Sequence, residues 1–357
     1  MHMADALISP AVGGTMWVAS AGLAAYSAHR LKKEMNDTKA PLMGVVGAFV
    51  FAAQMINFTI PGTGSSGHLG GGMILAILLG PYAAFLTMFS ILAVQALFFA
   101  DGGLLALGCN VFNLGFWPCF VVYPLLFKKM LGDKPSRGRL TFAAILAGVV
   151  SLQLGAFGVV LQTLFSGITE LPFGTFVLLM QPIHLAIGIV EGAVTAALLA
   201  FVWKARPELV MPSVADPAAR SASVRPVLVT FAVMALVTGG LFSWFASAHP
   251  DGLEWSMGKT SGKEELEAPA DGVHEGLAGV QKKTAFMPDY GFKAAEEGPA
   301  AQSGEKTAES KDNVEPWPAV SAGTSLAGVV GGAIVLVLAG LIGLGLRFFG
   351  RPERVSG

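Results

Sequence analysis

Nine apolar stretches punctuate this chain, near residues 10–29, 41–57, 69–80, 82–100, 104–127, 140–165, 175–203, 226–247 and 320–346. A bilayer core about 30 Å thick takes roughly 20 residues of helix to cross. Lipid offers the backbone no hydrogen-bond partner, so apolar runs of this length must bond internally as helices. The third stretch is short and rich in glycine, which predicts a tilted or partly re-entrant segment. Of the 357 residues, 53% are hydrophobic and 13% charged, with a net charge of −1. That balance carries no electrostatic footprint for nucleic acid. The expected fold is an all-α polytopic membrane protein embedded in a lipid bilayer.

The basic residues orient these spans. The first basic cluster, Arg30, Lys32 and Lys33, follows the first apolar stretch, and the segment Met1–Asp5 has no basic residue to mark a signal peptide. By the positive-inside rule the N-terminus is extracytoplasmic and the C-terminus cytoplasmic. Segments 30–40, 128–139, 204–225 and the tail from Arg347 then carry the cytoplasmic Lys and Arg. The short outer segments 58–68, 101–103 and 166–174 carry none. The remaining lysines lie in one long outer loop, 249–319, and long loops obey the rule poorly. Residues 206–225, rich in Pro, Ala and Ser, read as a cytoplasmic linker. The expected organisation is a seven-span core, 1–205, and a two-span C-terminal module, 226–357, with 293–316 of its long extracytoplasmic loop disordered.

The chemistry starts at Met1-His2. A free terminal amine, the His2 amide nitrogen and the His2 imidazole can grip one ion through two fused rings, of five members and, through Nδ1, of six. The amide must lose its proton, which Ni²⁺ and Cu²⁺ can force, and both accept a flat four-nitrogen geometry. One corner remains for a second histidine. His68 emerges on the same outer face, in a glycine-rich loop that permits close backbone approach. Taken alone, Met1-His2 also reads as an accident of the start site, and His68 as an incidental loop residue.

Other groups have two readings each. Asn110 and Asn113 share a helical face, and either hydrogen-bond a neighbouring helix or orient the N-terminal segment. His184 and Glu191 share a face roughly 10 Å apart along the axis, which is too far for one ion and points to an interhelical clamp. Asp101 either ties down the N-terminal loop or caps the next helix. His249 and His274 read as solvated outer-loop residues. Cys109 and Cys119, about 15 Å apart if on one helix, are packing residues. Gly258-Lys259-Thr260 lacks the spacing and the preceding strand of a phosphate loop, so ATP is not expected to bind this chain.

Several blocks together resemble a known family. Met1-His2-Met3-Ala4-Asp5-Ala6-Leu7-Ile8-Ser9-Pro10, Ser66-Gly67-His68-Leu69-Gly70-Gly71-Gly72, the run from Gln95 through Asp101 to Gly108 with Asn110 and Asn113, and Pro182-Ile183-His184 to Glu191-Gly192 are similar to the CbiM/NikM substrate-binding components of energy-coupling factor transporters. Pro250-Asp251-Gly252-Leu253-Glu254-Trp255 and Lys283 to Tyr290 resemble the NikN-type accessory component, here on the same chain. The resemblance implies a square plane of four nitrogens from Met1, His2 and His68. It also implies a non-catalytic role beside a scaffold subunit of the NikQ/CbiQ type and ATPase subunits of the NikO/CbiO type. Nickel is the expected substrate, with cobalt the alternative within the class and a membrane metal sensor the alternative from another class.

The chelate requires an unmodified Met1. Aminopeptidases that trim initiator methionine need a small second residue, and His2 is large, so the intact mass of the purified chain is expected to include Met1 without a formyl group. A trimmed or blocked terminus removes one ligand and defeats the site.

Overall fold

The computed structural model describes residues 2–132, 135–210, 223–293 and 317–350. Met1, most of the expected linker and the stretch expected to be disordered lie outside the described residues. Helices α1 (Pro10–Leu31), α2 (Lys39–Gln54), α3 (Gly72–Leu79), α4 (Pro81–Phe99), α5 (Leu107–Leu131), α6 (Arg137–Ser166) and α7 (Phe173–Ala205) form the first bundle. Helix α8 (Arg225–Gly240), two short helices α9 (Gly252–Ser261) and α10 (Gly272–Thr284), and α11 (Ala322–Gly350) follow. Five of these, α4 to α7 and α11, are long and apolar enough to cross a membrane, and α2 and α8 are shorter apolar helices. The chain is an all-α multi-pass membrane protein.

Local sequence sets the boundaries. Ser9 accepts from the Val12 N–H and Pro10 opens α1, while Ser136 caps α6 and Gly167, in the left-handed region, closes it. Asp251 and Glu254 make a reciprocal capping box at the start of α9. Pro118 and Pro124 remove two donors inside α5, and the chain winds there in wider turns.

Small residues set the helix contacts. Gly148 faces Gly192 where α6 meets α7. Gly44 and Gly47 of α2 lie against Leu336 and Val335 of α11, and Gly239 of α8 meets Gly328 of α11. Helices α8 and α11 therefore pack directly on α2 of the first bundle. Above it, on the face where α1 begins (the upper face), α9 and α10 lie across the bundle.

The third crossing differs most from a regular helix. Only eight residues of it, Gly72–Leu79, are helical. The chain before them runs into the bundle as irregular backbone. A Cβ at Gly72 would sit 2.4 Å from Pro118 and 2.6 Å from the Leu114 carbonyl oxygen. The expected re-entrant character is thus a descent of bare backbone, made possible by the missing side chain.

At Gly328 a Cβ would lie 2.4 Å from the Gly239 oxygen, whereas one at Gly345 meets nothing within 4 Å. Gly328→Leu is expected to destabilise the detergent-solubilised chain by about 1–3 kcal/mol in thermal unfolding, with Gly345→Leu close to neutral.

Candidate metal centre

Two arms meet near the upper face. The first begins in a small antiparallel hairpin, β1 (Phe58–Ile60) with β2 (Ser65–Gly67). It delivers His68, which is only 9% exposed, to the centre of the bundle. Its Nδ1 donates to the Leu69 carbonyl at 3.1 Å, which leaves the lone pair on Nε2. Burial lowers the His68 pKa to about 3, so the ring is neutral at pH 7, the form a metal needs.

The backbone just beyond is secured by side chains of two helices. The Gly70 N–H donates to Glu191 Oε2 at 2.7 Å, and Gln54 Nε2 donates to the Gly70 carbonyl at 2.8 Å. Gln95 donates in turn to Gln54 Oε1 at 2.9 Å. Glu191 thus clamps the His68 loop. His184 does not share that work: its Nδ1 donates to Met180 of its own helix at 2.8 Å, and its buried Nε2 has no partner. Of the pair expected as an interhelical clamp, Glu191 bonds the His68 loop, while the bond of His184 stays within its own helix.

The second arm is the N-terminal segment, with Met3, Ala6, Leu7 and Ile8 buried. Asn110 reads the Met3 peptide on both sides: the Met3 N–H donates to Oδ1 at 2.8 Å, and Nδ2 donates to the Met3 carbonyl at 3.1 Å. The Gly103 N–H also donates to that carbonyl, at 2.9 Å. Asp5 accepts from the Ala106 N–H at 2.9 Å. Asn113 pairs with Gln162 of α6 and touches the Met3 sulfur. Asn110 therefore orients the terminus while Asn113 mainly joins two helices, so each asparagine takes one of the two expected roles.

These contacts bring His2 over His68. The rings are stacked with centroids 4.9 Å apart and planes 21° from parallel. His2 Nδ1 donates to Asp101 Oδ1 at 2.9 Å, and Nε2 is buried without a partner. Asp101 ties down the arm rather than capping a helix. The nitrogen that would close a six-membered chelate ring is thus the one facing Asp101. Met1 lies outside the described residues. Among the described residues, no three His, Cys, Asp or Glu side chains converge as a metal site, so an ion held between these rings needs amine or backbone nitrogen as well.

The second module roofs this centre. The Ser66 hydroxyl donates to the His249 carbonyl at 2.7 Å, and its N–H to Pro250 at 2.8 Å. Asp251 Oδ2 comes within 4.0 Å of His68 Nε2, but this is no ion pair at pH 7 because His68 is neutral there. Tyr290 stacks on Phe99 with centroids 5.0 Å apart and donates its hydroxyl to Asp101 Oδ2. Burial would raise the Asp101 pKa, but the charge and hydrogen bond of His2 and the hydroxyl of Tyr290 outweigh it and hold the carboxyl at about 2. Asp289 and Tyr290 both adopt positive φ, 50° and 57°. Such backbone costs of order 1–3 kcal/mol per residue and persists only where surrounding contacts hold it.

His274 corrects an expectation. It is 5% exposed rather than solvated, and its Nε2 donates to the Ile8 carbonyl at 2.9 Å, fastening α10 onto the N-terminal arm. His249 is exposed as expected. Tyr290 and Asp251 stood in the sequence only as members of the two blocks that resemble the accessory component, and their contacts with Asp101 and beside His68 appear only once the fold lays that loop over the bundle.

Asn110→Ala deletes both side-chain bonds to the Met3 peptide and leaves His68 untouched. It is expected to weaken Ni²⁺ binding roughly 10–100-fold in calorimetric titration, and Asn113→Ala considerably less.

Comparison with known proteins agrees with this architecture. Residues 2–209 match the family described as CbiM, cobalt uptake substrate-specific transmembrane region, and residues 225–348 match the PDGLE domain. A putative fused nickel transport protein NikMN of Archaeoglobus fulgidus is 31% identical over 345 residues, covering 95% of this chain and 96% of its own. A putative metal transport protein of Haloquadratum walsbyi is 39% identical over 210 residues, 59% of this chain and 93% of its own. A crystal structure described as a transition metal transporter superposes with a TM-score of 0.52 at 28% identity, covering 58% of this chain and 95% of that one. With a family match over more than half its length and a fused relative aligned nearly end to end, the chain belongs to the CbiM family, joined in one polypeptide to a NikN-like PDGLE domain.

Proposed function

We propose that this chain is the substrate-specific membrane subunit of an ATP-driven nickel uptake system, and that it binds Ni²⁺ between His2 and His68 at the extracytoplasmic face. The observation that carries the reading is the stacked pair itself: two buried imidazoles from distant segments, one beside the chain terminus, held by Asn110, Asp101 and Glu191. The Met1 amine, the His2 amide, a His2 ring nitrogen and His68 Nε2 make up the four-nitrogen plane. His68 Nε2 already bears its lone pair. Closing the six-membered ring through His2 Nδ1 exchanges the Asp101 contact for the ion, by rotation about Cβ–Cγ. Square-planar nitrogen donors with an ionised amide favour Ni²⁺. Co²⁺ is the second reading, since the family description names cobalt.

The role is non-catalytic. A scaffold subunit and ATPase subunits supply the energy, and the ion is cargo. The core, 1–205, carries the binding site, and the module from residue 226 covers it. The distribution of basic clusters supports an extracytoplasmic upper face.

His2→Ala and His68→Ala are each expected to abolish tight Ni²⁺ binding in calorimetric titration, while His249→Ala leaves it unchanged. Cells expressing the native chain should take up Ni²⁺ in preference to Co²⁺, and only when the scaffold and ATPase subunits are present. Near-normal affinity in His68→Ala would put another group at the fourth corner.

A further inference from the structure

Beside His2 lies a cavity of about 620 Å³ whose wall carries one sign of charge. Asp5, Glu254, Glu264, Glu265 and Asp289 line it, in addition to Asp101 and Asp251 from the roof of the metal centre. Among the described residues no lysine or arginine lines it: Lys259, Lys263, Lys282 and Lys283 of the same module lie outside that wall. Glu264, Glu265 and Asp289 are exposed and mark its mouth. The acids are close enough to act on one another. Burial and then the Asp101 and Glu265 charges raise Asp289, and burial followed by the Asp251 charge holds Glu254 at about 7.

Concave walls of one charge concentrate counter-ions and speed their arrival. Water occupies about 30 Å³ per molecule in the liquid, so an ion with six waters fits this space without shedding any. The wall also includes His2, whose side chain is 7% exposed and whose Nε2 is buried with no partner. Acids at the mouth thus lead to a nitrogen that lacks a partner.

We propose that this cavity is a capture site for hydrated divalent cations, in which Glu264, Glu265 and Asp289 hold the ion through its water shell before the nitrogens at His2 and His68 take it. The proposal rests on the metal-uptake reading above. Carboxylates bind hydrated ions weakly and with little selection, whereas nitrogen donors discriminate among transition metals. Capture therefore sets the rate of loading, and the inner site sets the identity of the ion. Two residues from the α9–α10 connection and one beside Tyr290 make it a property of the PDGLE module rather than of the core.

The test is stopped-flow association of Ni²⁺ with the full-length chain in detergent, for the native protein and for the triple variant Glu264→Gln, Glu265→Gln, Asp289→Asn. At low salt the variant is expected to associate roughly tenfold more slowly, with an unchanged dissociation rate and a flatter dependence on salt. Mg²⁺ should slow loading of the native chain more than Na⁺ at equal ionic strength, and this difference should vanish in the variant. An unchanged association rate overturns the proposal. So does a faster dissociation rate alone, which would assign these acids to holding the bound ion. His68→Ala, run alongside, separates the two readings: tight binding that survives it removes His68 from the fourth corner, whatever the triple variant does.

Discussion

Irregular backbone inside a membrane protein has to find its hydrogen bonds among side chains, and the site here depends on how that demand is met at Gly70. The chain runs as irregular backbone from the hairpin, which ends at Gly67, to the helix that starts at Gly72, and this stretch buries His68 near the upper face. The exposed peptide is then bonded on both sides, its N–H by Glu191 of α7 and its carbonyl by Gln54 of α2. Removing either partner leaves a buried polar group unpaired, which costs far more than an ordinary hydrogen bond is worth. Glycine is required for steric reasons as well, since a side chain at position 72 would collide with the backbone and Pro118 of α5.

The N-terminal arm is organised in the same way. The N-terminal segment forms only one short 3₁₀ turn, Asp5–Leu7, so bonds with Asn110 and Gly103 and from the Asp5 carboxylate to Ala106 hold it in place. The two arms then share a continuous polar path. His2 and Tyr290 take one oxygen each of Asp101, and Gln95 joins Gln54 to the Gly70 side. Because the second module contributes Tyr290, Asp251 and His274 to this assembly, its docking on α2 and the geometry of the centre are mechanically linked. A long polar loop has little reason to order itself in water. Its described part, residues 249–293, offsets the conformational entropy lost on ordering through contacts with the hairpin, the N-terminal arm and the end of α4.

The long apolar helices were legible in the sequence because lipid leaves few options: apolar length predicts helix, and five of the described helices are long and apolar enough to cross a membrane. The third crossing was legible only as an anomaly, short and glycine-rich. Asn110 and Asn113 could be placed on one face from spacing, but the split between them depended on which groups stood opposite, Met3 for one and Gln162 for the other. His184 and Glu191 show the same limit. Seven residues apart on one face, they looked like a pair, yet one satisfies its own helix and the other a neighbouring loop.

The sequence by itself determined the membrane class, the long apolar helices, the pairing of His2 with His68 as candidates and the presence of an appended module, because hydropathy, charge bias and chelate-ring size are local properties, whereas α9 and α10 formed inside a stretch that reads as loop. Only the tertiary structure decided that His2 lies over His68 with Nδ1 turned to Asp101, that His274 is buried, that Tyr290 bonds Asp101, and that acids of the appended loop line the cavity beside His2. Those outcomes depend on which surfaces meet across 100 to 270 residues of chain, as between Met3 and Asn110 or Ile8 and His274, and local pattern holds no record of such meetings.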